Sequence, residues 1–159
     1  MEEQVGALWH RLITRASERR FPAAAVRLED MIGVIRIYFR ALGGDPGLEV
    51  KAGDEYRHGA RRGLLARIAG AGDKVALAWR DDRSLLLPSL IDRYPESRLN
   101  RDLYLWLAAL ATGEARPDDD WLTGNQHLTL GTLARFPGLA DTYRHLVTAH
   151  LAERPDPAR

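Results

Sequence analysis

The segment Asn100–Gly113, NRDLYLWLAALATG, carries nine consecutive apolar or aromatic residues from Leu103 to Ala111. Nine residues fall far short of the roughly 20 that span a bilayer, so the run is not a membrane helix. A helix that is apolar on every side is enclosed by other elements. The run therefore predicts a central helix from Asn100, as N-cap, to Gly113, as stop, with the rest of the chain built around it. A carboxylate at Leu107 should then unfold the domain.

The remaining sequence contains suitable partners for such a helix. At 159 residues the chain is one domain's worth, long enough to bury a core without disulfides or metals. Residues 3–19 place Val5, Leu8, Trp9, Leu12, Ile13 and Ala16 three and four apart, the period of a helix with one buried face. Phe21-Pro22 interrupts this pattern, and Pro22 suits the first turn of a second helix running to about Leu42. Its apolar set is Val26, Met31, Ile32, Ile35, Tyr38, Phe39 and Leu42, with Glu29, Gly33, Arg36 and Arg40 on a polar stripe. Gly43-Gly44-Asp45-Pro46-Gly47 ends it.

The middle of the chain changes character. Segments 47–53, 74–82 and 84–89 show the short alternation and valine content of strands, and predict a small antiparallel sheet. Between the first two, HGARRGLLARIAGAG (58–72) reads as a short basic helix. Beyond Gly113, Arg116–Asp120 forms a linker whose three aspartates suit a helix N-terminus. Residues 121–135 and 139–151, separated by Phe136-Pro137-Gly138, predict a helical pair. The fold class is mainly α (α+β), a bundle of about five to six helices with a small antiparallel β insertion. Residues 1–153 form one domain, and the proline-bearing tail 154–159 starts a flexible linker.

Few signs of chemistry accompany this plan. The 23 basic residues nearly balance 22 acidic ones, giving a net charge of +1 and no field that draws a protein onto nucleic acid or an anionic bilayer. Cysteine is absent, which excludes disulfides, thiolate ligands and cysteine nucleophiles. The acidic, amphipathic N-terminus does not resemble a signal peptide, and the expected location is the cytoplasm. Gly70-Ala71-Gly72-Asp73-Lys74 lacks the hydroxyl residue and following helix of a phosphate loop. His145 and His150 point to different sides of one helix, whereas Asp141 and His145 share a side and predict an exposed contact. His10 and His58 have no partner by spacing. Ser17, Ser84, Ser89 and Ser97 fit a helix surface, strand edge or turn, with no nucleophile motif. Asp81-Asp82 and Asp118–Asp120 are consecutive, unlike the facing carboxyls of a hydrolase. No catalytic, cofactor or metal site is expected.

Two basic clusters remain, one of Arg57, His58, Arg61, Arg62 and Arg67, the other of Arg15, Arg19 and Arg20. Solvated helix faces account for both, while Arg61, Arg62 and Arg67 on one short helix are candidates for docking to an acidic protein surface. Trp9, Trp79 and Trp106 fit the core. Trp121, beside the aspartates, is the further candidate for a partner contact.

Several stretches together resemble a known family. LWHRLITRA (8–16), FPAAAVRLED (21–30), FRALGGDPGLEV (39–50), HGARRGLLARIAGAGDKVALAWRD (58–81), LNRDLYLWLAALA (99–111) and LARFPGLADTYRHLV (133–147) are similar to the N-terminal region of the CbbO and NorD proteins. The first and fifth resemble CbbO most. The resemblance implies a non-catalytic adaptor without cofactors, working with a hexameric MoxR-type AAA+ ATPase, CbbQ or NorQ. The implied target is inhibited Rubisco in the CbbO branch and nitric oxide reductase in the NorD branch. Family members end in a von Willebrand factor A domain whose Asp-x-Ser-x-Ser metal site helps bind the target. Here Asp82-Arg83-Ser84 is followed by Leu85-Leu86, so the motif is incomplete, and 159 residues leave no room for that domain. Target binding is therefore expected of an absent C-terminal part.

Overall fold

The computed structural model describes residues 20–53, 79–80, 83–114 and 121–152, apart from the side chains of Trp79, Arg80, Trp121, Leu122 and Asn125. In chain order the elements are β1 (Val26–Arg27), α1 (Leu28–Ala41), β2 (Glu49–Ala52), β3 (Trp79–Arg80), β4 (Ser84–Leu87), β5 (Leu90–Ile91), α2 (Ser97–Leu110), α3 (Trp121–Arg135) and α4 (Ala140–Ala152). Short 3-10 turns at Pro22–Ala24 and Pro137–Leu139 complete the set. The fold is mainly helical, with four α-helices among the described residues against the five to six expected. The segments 3–19 and 58–72 lie outside those residues.

The run that opens the sequence is the central helix. On one side of α2, Tyr104, Leu107, Ala108 and Ala111 join Val26, Met31, Ile35 and Phe39 of the N-terminal half and Leu85 and Leu87 of β4 in one core. On the other side, Trp106 and Leu110 meet Tyr94, Leu128 of α3 and Leu146 of α4 in a second. The Trp106 and Tyr143 rings lie 4.8 Å apart, tilted by 36°, a favourable aromatic arrangement. A helix flanked by two cores must be apolar all round, which is the physical reason for its composition.

The start of α2 differs from the expectation. The helix begins three residues earlier, at Ser97, and Asn100 is not an N-cap. Its side chain is fully buried and bonds as a peptide group would. The amide Nδ2 donates to the carbonyls of Ala24 (2.8 Å) and Tyr94 (2.9 Å), while Oδ1 accepts the Tyr94 N–H (2.9 Å). One turn later the Tyr104 hydroxyl donates to the Pro88 carbonyl at 2.8 Å and lies 3.4 Å from that of Val26. Two polar side chains four residues apart thus reach from α2 to three segments of irregular main chain, whose buried carbonyls would otherwise be costly.

Helix α1, predicted to start at Pro22 and run to about Leu42, is also shorter than expected. Pro22 sits in a 3-10 turn, and Val26-Arg27 are drawn into extended pairing with Leu90-Ile91, with registers Val26↔Ile91 and Arg27↔Leu90. Helix α1 therefore starts at Leu28, whose N–H donates to the Ser89 carbonyl at 2.9 Å. It ends as predicted, at Gly43 with φ +86°, a conformation glycine adopts without a Cβ penalty. A Cβ on Gly44 would run into the Phe39 ring.

The sheet is corrected from antiparallel to mixed. In the order β2-β4-β3, β4 pairs parallel with β2 (Glu49↔Ser84 to Ala52↔Leu87) and antiparallel with β3 (Trp79↔Leu86, Arg80↔Leu85). The 26 residues between β2 and β3 give the chain length to cross to the far edge and return through the centre. Ser84, expected at a strand edge, is buried in this central strand, as are Leu85, Leu86 and Leu87. Burial on both faces replaces alternation with a continuous apolar run. The pair β1-β5 forms a separate two-stranded ribbon.

At the far end, Phe136-Pro137-Gly138 does break the helical run, and α3 and α4 both pack on α2. Arg135 closes α3 by donating to the Thr112 carbonyl just beyond the end of α2, and its guanidinium lies 5.0 Å from the Phe136 ring centre. On α1, the Tyr38 hydroxyl is enclosed with no hydrogen-bond partner. Enclosure, and then the charge of Asp102, push its ionisation above the ordinary phenol value.

Three outcomes test this packing. Asn100→Leu strands three main-chain groups and should cost ~3 kcal/mol or more in chemical denaturation, whereas a loss under ~1 kcal/mol would show the bonds to be dispensable. Leu107→Asp places a carboxylate in the core that Leu107 shares with Ile35 and Leu85 and should abolish the cooperative unfolding transition, since the cost approaches the ~5–15 kcal/mol of a whole domain. Tyr38→Phe removes an unpartnered hydroxyl and should leave stability unchanged or raise it by up to ~1 kcal/mol; clear destabilisation would mean that the hydroxyl has a partner.

Candidate docking surface

The pairing of β1 with β5 and the Leu28 N–H bond to Ser89 hold the first turn of α1 against the corner between β4 and β5. Between this corner and the end of β2 opens a groove of about 490 Å³. Leu28, Ile32, Ala52 and Leu90 supply its apolar walls, and Arg27, Glu29 and Ser89 its polar rim. Arg27 and Glu29 form an ion pair of 3.3 Å in which both side chains are exposed, so it contributes well under ~1 kcal/mol and opens readily to a partner. Alongside, on β2, Lys51 reaches Glu49 at 2.7 Å. The hydrogen bond and charge from Lys51, with a smaller contribution from Arg36, hold the Glu49 carboxyl below its usual range.

This arrangement can receive an apolar side chain and order it with charges on either side. Among the described residues, no three His, Cys, Asp or Glu side chains converge as metal ligands would. No helix among them is long and apolar enough to cross a membrane.

The residues singled out from sequence fare unevenly. Arg57, His58, Arg61, Arg62 and Arg67 lie outside the described residues, as do Arg15, Arg19, His10, Ser17, Trp9, Asp81-Asp82, the 70–74 glycine turn and the 118–120 aspartates. Trp121 opens α3 with its main chain, and its side chain lies outside them too. Trp106 is a core residue. Arg20 is not a free member of a basic face, because it donates to the mostly buried Asp92 at 2.8 Å. Asp141 pairs with Arg144 at 2.7 Å instead of with His145, since the longer, permanently charged side chain three residues on reaches it first.

Sequence reasoning missed two features. The amide of Asn100 is one, because an asparagine ahead of an apolar run has the appearance of a cap. The other is an exposed apolar strip on α1, formed by Val34 (54% exposed) and Ile37 (74%). The signal was present, since neither residue falls on the stripe traced by Met31, Ile35 and Phe39.

Comparison with known proteins supplies what this geometry lacks. The chain is 43% identical over 157 residues to the protein NorD of Stutzerimonas stutzeri, covering 99% of the chain and 26% of that protein. It is 43% identical over 155 residues to an uncharacterized protein of Pseudomonas aeruginosa (98% and 25%). Against the protein NorD of Brucella abortus the identity is 36% over 167 residues (98% and 26%). The chain thus spans about a quarter of the length of the curated relatives it matches. No family model matches it, and no solved structure does. The particular nearness to CbbO expected from residues 8–16 and 99–111 has no counterpart in these relatives, two of which carry the NorD name. Identity of 36% to 43% over almost every residue makes the chain homologous to NorD proteins, with which it shares a segment of about a quarter of their length.

Proposed function

We propose that the chain is the adaptor segment of a NorD-type accessory protein, docking on a NorQ-like hexameric MoxR-type AAA+ ATPase in the activation of nitric oxide reductase. The observation that carries this reading is the 43% identity to NorD of Stutzerimonas stutzeri along 99% of the chain. It favours the nitric oxide reductase branch of the family resemblance over the Rubisco branch. In this reading residues 1–153 form the docking domain, 154–159 lead into the rest of a longer protein, and target recognition belongs to a von Willebrand factor A domain there. The setting is cytoplasmic.

An adaptor that transmits force needs a preformed body, because a segment ordered only on binding spends interaction energy on its own folding. The two cores around α2 supply such a body. For the contact itself we propose Arg61, Arg62 and Arg67, with Trp121 as an aromatic anchor. Arginine and tryptophan are the residue types that concentrate binding energy at protein interfaces.

Co-purification with a NorQ-type ATPase, together with its rate of ATP hydrolysis, tests both parts. The chain should be retained and should change the hydrolysis rate. Joint substitution Arg61→Glu, Arg62→Glu and Arg67→Glu should weaken retention by about tenfold or more, and more steeply at low salt. Unchanged retention of the triple variant removes the arginines from the contact. No retention of the parent chain overturns the adaptor role, and retention by a CbbQ-type ATPase alone transfers it to the Rubisco branch.

A further inference from the structure

The outer face of α1 has a pattern that no packing among the described residues explains. Asp30, Gly33, Ile37 and Arg40 follow one another at spacings of three, four and three, which places them along one seam of the helix, with Val34 and Ala41 beside it. All six are exposed, Ile37 to 74%. Gly33 is the least expected. In a helix interior glycine costs about 1 kcal/mol relative to alanine, and a Cβ placed there would meet no atom within 4 Å. No packing among the described residues requires its small size.

The seam is complementary to itself. Asp30 and Arg40 lie equally far from Ile35 along the helix, and so do Gly33 and Ile37. Two copies of α1 laid antiparallel about a two-fold axis beside Ile35 therefore bring Ile37 of each copy over Gly33 of the other, filling the space left by the missing side chain. The same register sets Asp30 of each copy against Arg40 of the other. Arg40 donates one bond to the Pro46 carbonyl at 3.2 Å and retains other N–H groups for a carboxylate. The acidic first turn, Glu29 and Asp30, and the basic last turn of α1 also meet with favourable dipole alignment.

We infer that the outer face of α1 is a self-association surface at which a second copy of the chain packs antiparallel, helix against helix. A contact confined to one helix pair falls short of the roughly 1,200 Å² of stable interfaces, so the dimer is weak and forms at high local concentration. Clustering of copies, as on a multisubunit partner, would supply that concentration without any new contact.

Sedimentation equilibrium of the chain at rising concentration tests this inference. A monomer–dimer equilibrium is expected, with dissociation in the range of roughly tens to hundreds of micromolar. Ile37→Asp, on an exposed position that leaves the fold intact by circular dichroism, should weaken it by about tenfold or more. Asp30→Arg and Arg40→Asp should each weaken it, and the two together should restore it, because the swapped charges again face each other. Since the chain has no cysteine, a mixture of Gly33→Cys and Ile37→Cys proteins should form a disulfide-linked heterodimer faster than either forms a homodimer. A chain that stays monomeric at millimolar concentration overturns the inference. So does a double charge swap that fails to restore association, which would assign the face to a different protein or to another part of the same one.

Discussion

The arrangement rests on one helix reading the main chain of its neighbours through two polar side chains. Asn100 and Tyr104 project from the same face of α2, and both are fully buried. Between them they bond to Ala24, Pro88 and Tyr94, groups at the turns where the chain enters and leaves its short strands. Strands of two to four residues cannot satisfy their own ends. Packed against an entirely apolar helix, those carbonyls and N–H groups would be desolvated without partners, at a cost of ~1–3 kcal/mol each. Two side chains on a rigid element remove that cost and fix the register at which the β layer meets α2. The first turn of α1 and the groove beside it follow from that register, because Ser89 lies next to Pro88 and accepts the Leu28 N–H.

Where one strong local signal controlled the outcome, the sequence was a reliable guide. The apolar run of α2 implied enclosure, and two cores enclose it. Gly43, Pro137 and the spacing of Met31, Ile35 and Phe39 marked helix ends and a buried stripe that the structure retains. Errors arose where a distant partner decided. Val26 belongs by sequence to the apolar set of the predicted helix, but pairing with Ile91 far along the chain makes it a strand residue. Ser84-Leu85-Leu86-Leu87 reads equally well as an edge or a centre, and only the return of the chain between β2 and β3 makes it central and parallel to β2. Asn100 has a cap's position and a core residue's function, and local patterning cannot separate the two.

The same distinction governs how much of the surface was legible. Clusters of arginine attract notice because charge is conspicuous in a sequence, and Arg20 shows the weakness of that signal, since its charge is already held by Asp92 across the ribbon. Val34 and Ile37 were overlooked for the opposite reason. Neither belongs to the apolar set or to the polar stripe read from the sequence, and only the position of the buried stripe shows that these two face away from it together. The groove was invisible for a third reason, because Ala52, Leu90 and Ile32 come from separate elements and meet only once the β4–β5 corner is formed.

These features also divide the labour of the domain. The polar contacts that set its shape are concentrated inside, on α2, where any change propagates to both cores. Among the described residues, exposed apolar side chains lie on α1 and beside the groove at its first turn, and they contribute little to stability. Gly33 marks the boundary between these demands. Alanine there would strengthen the helix by about 1 kcal/mol and would meet no atom among the described residues, so nothing in the packing they form calls for glycine. With the two demands separated in this way, exposed side chains can change without altering the cores around α2.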